Sequence, residues 1–323
     1  VTTVKTSFLI FVLFATCAAQ TQLRASQTPD CSRDASGTTL GSGKAIELPI
    51  QLYRDYVVVV EGSIGNLEKL TFIVDTGAYP SVIDQKIAIA LGLKERDSEV
   101  AMVDRNVETK LATLPFVAVG PVRVEDLRVR VQDLSSIGKT LARRVDAVVG
   151  LDVLGTNSFS IDYKTKRLRF GPVTRMRSSV SFETGNPFVI VEAQLDDNPV
   201  RLMVDTGTPA LVLFQSHLKR PISRFAGTTA TATDGGGEDY RLQPMLIPHT
   251  RLGRHALGPL TGFVAADQRD DARDFDGLLS VRSLHLEEIG FDFENHEISW
   301  AHALIQPSII QQSTMPYCVT VAW

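Results

Sequence analysis

The chain has 323 residues, 44% hydrophobic and 22% charged, with a formal net charge of −4. That is a globular balance with room for two cores of a little over 100 residues each. No basic cluster marks a nucleic-acid surface, and beyond the first 19 residues no apolar run is long enough to cross a bilayer.

Residues 1–19 are predicted to be an export signal. Lys5 supplies the positive start, 8–15 the short apolar core, and ATCAA at 15–19 a small-residue cut before Gln20. The expectation is an exported protein, periplasmic or secreted. An uncleaved anchor helix competes with this reading, and the shortness of the segment argues against it. A lipidated Cys17 fits poorly, because Phe-Ala-Thr precedes it. Cleavage leaves Cys31 and Cys318, which form one disulfide if the termini meet and otherwise stand unpaired. Residues 20–44 are polar and read as a linker or short leader. The first lobe is placed at 45–172, a basic joint at 173–177, the second lobe at 179–300, and a tail at 301–323.

Both lobes have the texture of strands. YVVVV at 56–60 and FVIV at 188–191 are β-branched runs, each followed by a turn (63–69 and 195–200). A second strand then leads to Asp-Thr-Gly, within FIVDTGA at 72–78 and LMVDTGT at 202–208. Further strands follow at 81–83 and 211–214. Residues 84–93 are predicted to be a helix, with Asp84 as N-cap and Gly92 at its end. Its counterpart at 215–220 stops at Pro221.

The two turns are 130 residues apart, and the offset holds widely. It links Asp104 to Asp234, Asp146 to Asp276, Leu154 to Leu284, Asp162 to Asp292 and Phe170 to Trp300. VDAVVGLDVL at 145–154 aligns with FDGLLSVRSL at 275–284. The period exceeds the roughly 20–50 residues of a solenoid unit. It predicts an all-β protein of two similar barrel-like lobes related by a pseudo-two-fold axis, with one short helix per lobe.

The paired turns carry the chemistry. One carboxylate is a poor catalyst of amide hydrolysis, but two sharing a proton supply a general base and a general acid together. Asp75 and Asp205 are the candidate catalytic groups. Thr76 and Thr206 are placed to hydrogen-bond backbone across the lobe interface, and Gly77 and Gly207 let two backbones approach. Two acids brought together between lobes cannot both stay ionised, so one pKa is expected to rise and the other to fall. Other chemistries find little support. The six histidines form no His-Glu-x-x-His motif, and no Gly-x-Ser-x-Gly elbow is present. No metal and no cofactor are expected.

On these motifs, residues 45–300 resemble the two-lobed aspartic proteases of the pepsin-like and retropepsin-like clan, each half similar to one retroviral-type subunit. The resemblance includes an apolar-apolar-Gly element behind the catalytic loop. Val148, Val149 and Gly150 match it; in the second half Leu278 and Leu279 are followed by Ser280, which puts the backing of Asp205 in question. It also implies hairpin flaps, with candidates at 103–107, including Asp104, and at 233–237, including Asp234, Gly235 and Gly236. No tyrosine stands in the first flap candidate; Tyr79 follows the first turn and Tyr240 the second flap. A hydroxyl at the fourth turn position donates to the carboxylate in pepsin-like members; Thr208 supplies one and Ala78 does not, which implies activity in mildly acidic solution. The implied function is an aspartic-type endopeptidase acting on polypeptides as a monomer, with no nucleic acid and no membrane span after signal cleavage. The alternative is a catalytically silent peptide-binding protein of the same fold.

Overall fold

The computed structural model describes residues 6–9, 45–101, 106–196, 198–220, 222, 230–233, 239–265 and 274–302. Most of them lie in strands, arranged in three sheets. The first runs in the order Gln51–Tyr53, Val57–Ile64, Leu67–Val74, Ala147–Val149, Val82–Asp84, Val122–Gln132, Asn106–Val119 and Arg96–Ala101. Val57–Ile64 also pairs with Asn106–Val119, which curls this sheet back on itself. The second sheet runs Thr6–Leu9, Ala230–Thr233, Asp239–Leu252, Ile190–Leu195, Asn198–Asp205, Gly277–Ser280, Leu211–Phe214 and His255–Ala265. It too gains an extra pairing, between Asp239–Leu252 and His255–Ala265. The outcome is all-β with barrel-like lobes.

The strands form where β-branched residues are buried on both faces. Val57, Val58, Val59 and Val60 are all buried, as are Phe72, Ile73 and Val74. A tight hairpin joins these two runs, with Gly65 at φ 55°. In the second half Asp196 takes the same left-handed conformation at φ 49°, one that a short polar side chain tolerates better than most.

The 130-residue offset is kept in backbone register. Ala147 lies opposite Phe72, and Gly277 opposite Leu202. Val148 lies opposite Val82, and Leu278 opposite Val212. The aspartates that recur are bonded alike. Asp146 Oδ2 accepts from the Thr71 amide and Asp276 Oδ2 from the Arg201 amide, both at 2.8 Å. Asp162 Oδ1 accepts from the Thr165 amide, and Asp292 Oδ1 from that of Asn295.

The third sheet joins the halves. It runs Ser178–Ser181, Glu297–His302, Leu286–Asp292, Phe159–Asp162, Arg167–Phe170 and Ile46–Pro49. Ser160 faces Gly290 across the central pair, and 160 + 130 = 290, so the pseudo-two-fold passes between them. Phe159 stacks on Phe291 with ring centroids 4.7 Å apart at the same seam.

The helices are distributed less evenly than one per lobe. Among the described residues all three α-helices, Gln85–Ala90, Ser135–Thr140 and Leu151–Leu154, are in the first half. The matching places of the second half hold single 3-10 turns, Gln215–His217 and Arg282–Leu284. The cause is local. Asp84 caps the first helix through the Lys86 amide at 2.9 Å, whereas Phe214 brings no capping side chain and Leu218 is already extended, with φ −78° and ψ 117°. Residues 6–9 pair parallel with 230–233, while the rest of 1–19 lies outside the described residues, as do Cys31, Cys318 and 303–323. No helix among the described residues is long and apolar enough to cross a membrane.

Candidate active site

Each Asp-Thr-Gly ends a buried strand. Asp75 follows Leu67–Val74, and Asp205 closes Asn198–Asp205. The Asp75 amide donates to the Val149 carbonyl at 3.0 Å. Asp205 lies opposite Ser280. Both carboxyls are fully buried, at 0% exposure.

The fold brings the two turns together across the axis. The Thr76 hydroxyl donates to the Val204 carbonyl at 2.8 Å, and the Thr206 hydroxyl to the Val74 carbonyl at 3.3 Å. Each hydroxyl also accepts the amide of the other threonine, at 3.0 and 3.1 Å. Four reciprocal bonds therefore clamp the turns. Gly77 and Gly207 donate to the Oδ1 of their own aspartates at 2.8 and 2.7 Å. Each glycine also approaches the opposite acid. A Cβ on Gly77 would lie 2.7 Å from Asp205 Cγ, and one on Gly207 would lie 2.5 Å from Asp75 Oδ2.

The two carboxyls are within hydrogen-bonding reach of each other. Their Oδ2 atoms have no amide or hydroxyl donor among the described residues. Burial pushes Asp75 up to about 7 against the pull of the Gly77 amide. Burial, followed by the charge of Asp75, raises Asp205 well above the ordinary carboxylate range. Both groups move upward, which corrects the expectation that one would rise and one fall. The removal of water from both sides outweighs the donors that each receives.

Thr208 behaves differently from expectation. Its hydroxyl donates to the Ala210 carbonyl at 3.3 Å, while its backbone amide works against the upward shift of Asp205. The departure at Ser280 is absorbed. A Cβ on Gly150 would lie 2.0 Å from the Ala78 carbonyl oxygen, so that position tolerates no side chain. Ser280 is fully buried and turns its hydroxyl onto the corresponding carbonyl, that of Thr208, at 2.7 Å. It also accepts the Ser283 amide at 3.3 Å.

Two further neighbours make contacts that the sequence did not assign to them. Tyr56 is buried close enough to feel the charges of Asp75 and Asp205, and Arg282 lies over its ring at 5.4 Å. Tyr79 meets Phe188 of the second half edge-on, with centroids 6.1 Å apart. No local pattern announces the contacts of Tyr56 with Asp205 and Arg282 or of Tyr79 with Phe188, because each joins residues more than 100 positions apart. The flap candidates Asp104, Asp234, Gly235 and Gly236 lie outside the described residues. The strands flanking them pair antiparallel, Arg96–Ala101 with Asn106–Val119 and Ala230–Thr233 with Asp239–Leu252.

Residues 60–153 match a family model described as aspartyl protease. The matched stretch contains the first Asp-Thr-Gly turn and Gly150; the second turn lies beyond it. No curated protein matches the chain.

Proposed function

We propose that the chain is an aspartic-type endopeptidase of two tandem lobes, with Asp75 and Asp205 as its catalytic pair. The observation that carries this reading is the pair itself: two fully buried carboxyls, one from each half, within hydrogen-bonding reach of each other. The aspartyl-protease match over 60–153 supports the reaction class and makes a polypeptide the substrate.

The geometry supports a direct hydrolysis. The ionised member of the pair takes a proton from water as the water oxygen attacks the peptide carbonyl. The protonated member gives its proton to the carbonyl oxygen, forming a neutral gem-diol. A proton then passes to the amide nitrogen, the carbon–nitrogen bond breaks, and one gem-diol hydroxyl gives its proton to the ionised aspartate, releasing a carboxylic acid and an amine. Thr76 and Thr206 hold the turns, Gly77 and Gly207 keep the space between the acids open, and the Thr208 amide steadies Asp205. Both acids come from one chain, so a monomer is complete for this chemistry. Because burial raises both groups, the singly protonated pair forms as Asp75 ionises, and activity should rise from mildly acidic towards neutral solution. Export to the periplasm or exterior accords with the signal-like residues 1–19.

The test is cleavage of an unstructured protein across pH, with and without a statine-type inhibitor, repeated with Asp75→Asn and Asp205→Asn. The expected result is inhibitor-sensitive cleavage that either substitution abolishes. Binding of peptides by a wild-type chain that never cleaves them would replace this reading with that of a silent binding protein.

A further inference from the structure

The first aspartate is braced by a side-chain relay whose members do not recur at the 130-residue offset. Two backbone bonds strap residues 149–151 behind the turn, Asp75 amide to Val149 carbonyl at 3.0 Å and Leu151 amide to Ala78 carbonyl at 3.1 Å. Between them, the Gly150 amide donates to Ser81 Oγ at 2.9 Å. Ser81 in turn gives both its donors to Asp152, the hydroxyl to Oδ1 at 2.5 Å and the amide to Oδ2 at 2.7 Å. Ser81 is 3% exposed. Asp152 keeps a little accessible surface but is densely surrounded by protein, and burial lifts it to about 6.

The chemistry of this chain of bonds is directional. A serine hydroxyl on its own rotates freely and offers its lone pairs to no fixed point. With its hydrogen directed at a carboxylate, the oxygen's lone pairs are left facing the Gly150 amide. The carboxylate thus fixes the rotor, the rotor fixes Gly150, and Gly150 lies between the two bonds that hold the first turn.

Among the described residues, the matching positions of the second half hold no such device. At the 130-residue offset, Ser81 becomes Leu211 and Asp152 becomes Arg282, which lies over Tyr56 instead. There the neutral hydroxyl of Ser280, bonded to the Thr208 carbonyl, does the bracing.

We infer that Asp152, acting through Ser81, is a positioning residue for Asp75, setting that carboxyl against Asp205 by fixing the 149–151 strap. The inference rests on the reading of Asp75 and Asp205 as the catalytic pair, and it concerns placement, not contact with substrate. Its test uses the full chain with Asp152→Ala, Ser81→Ala and Ser81→Thr, reading peptide cleavage and amide hydrogen exchange. In Asp152→Ala and Ser81→Ala, kcat should fall on the order of tenfold to a hundredfold, with KM within about twofold of wild type. Ser81→Thr, which keeps the hydroxyl, should recover most of that loss. Exchange at the Asp75 and Gly150 amides should quicken by about tenfold or more in the two alanine variants, with Gly207 and Ser280 unaffected.

Unchanged kcat in Asp152→Ala, or exchange that quickens equally in both halves, overturns the inference. Should Asp152→Ala fail to fold, Asp152→Leu, which fills the space but accepts no hydrogen bond, carries the same test, a loss confined to kcat supporting the brace and an unaltered kcat refuting it. A wild-type chain without peptidase activity would count against the dyad reading alone; the exchange pattern would then decide whether Asp152 braces the strap.

Discussion

Replacing Asp75 by asparagine should change how stability responds to pH, and the size of the change follows from burial. In the folded chain Asp75 is raised from 3.8 to about 7. Between those values the folded state holds a proton that the unfolded chain has released, so stability is fullest at the acidic end and declines as pH rises. At about 1.36 kcal/mol per pKa unit, ionising this one buried group costs about 4 kcal/mol by pH 7. Asp205 and Asp152 are also raised and act in the same direction. Asp133, Asp162 and Asp274 are held below their ordinary value, so their contributions are complete before this window opens. At about 2 °C per kcal/mol for a chain of this size, the Asp75 share corresponds to about 8 °C in Tm. Thermal unfolding followed by far-UV circular dichroism, in steps from pH 4.5 to 7.5, reads this directly. Wild-type Tm should fall across the range, and Asp75→Asn should flatten the fall and melt above wild type at the alkaline end. A wild-type Tm that stays level or climbs, or a variant with the wild-type slope, would refute the argument.

Three further outcomes are expected. Thr76→Ala removes a hydroxyl that donates to Val204 and accepts from Thr206; leaving a buried carbonyl and amide unpaired should cost about 2–4 kcal/mol in urea unfolding, and a cost below about 0.5 kcal/mol would show that the clamp contributes little. Gly77→Ala puts a Cβ within 2.7 Å of Asp205 Cγ; cleavage should vanish while the strand signal in circular dichroism persists, and residual wild-type activity would contradict the close approach. The strap positions should respond unequally. Ser280→Gly forfeits the bonds to Thr208 and Ser283 and should cost about 1–2 kcal/mol, whereas Gly150→Ser, forced to within 2.0 Å of the Ala78 oxygen, should leave little folded protein in a solubility assay.

Much of this architecture was legible in the residues because the halves repeat. The offset that joins Asp75 to Asp205 also predicts that Asp146 and Asp276 do the same work, and they bond the same amide of the strand opposite. β-branched runs such as 56–60 announce strands because such side chains suit a buried pleated surface. What stayed hidden was non-local or geometric. Ser81 and Asp152 are 71 positions apart, and neither has a counterpart at the offset, so the repeat conceals the pair. The direction of the Thr208 hydroxyl depends on where the Ala210 carbonyl falls, which no spacing reveals. The helices Ser135–Thr140 and Leu151–Leu154 are too short to show a period, and neither has a side-chain N-cap. The upward movement of both acids follows from complete burial, a property of the assembled core.

The sheet that carries Ser160 opposite Gly290 takes three strands from each half, joined by backbone bonds between Phe159–Asp162 and Leu286–Asp292. Such a seam does not slide, since a one-residue slip would turn every side chain on the strand to the wrong face. The halves are consequently unable to swing apart like jaws, and room for a substrate has to be made by whatever lies above the acids. A nick in the connecting stretch 173–177 would, for the same reason, leave two fragments stitched into one particle.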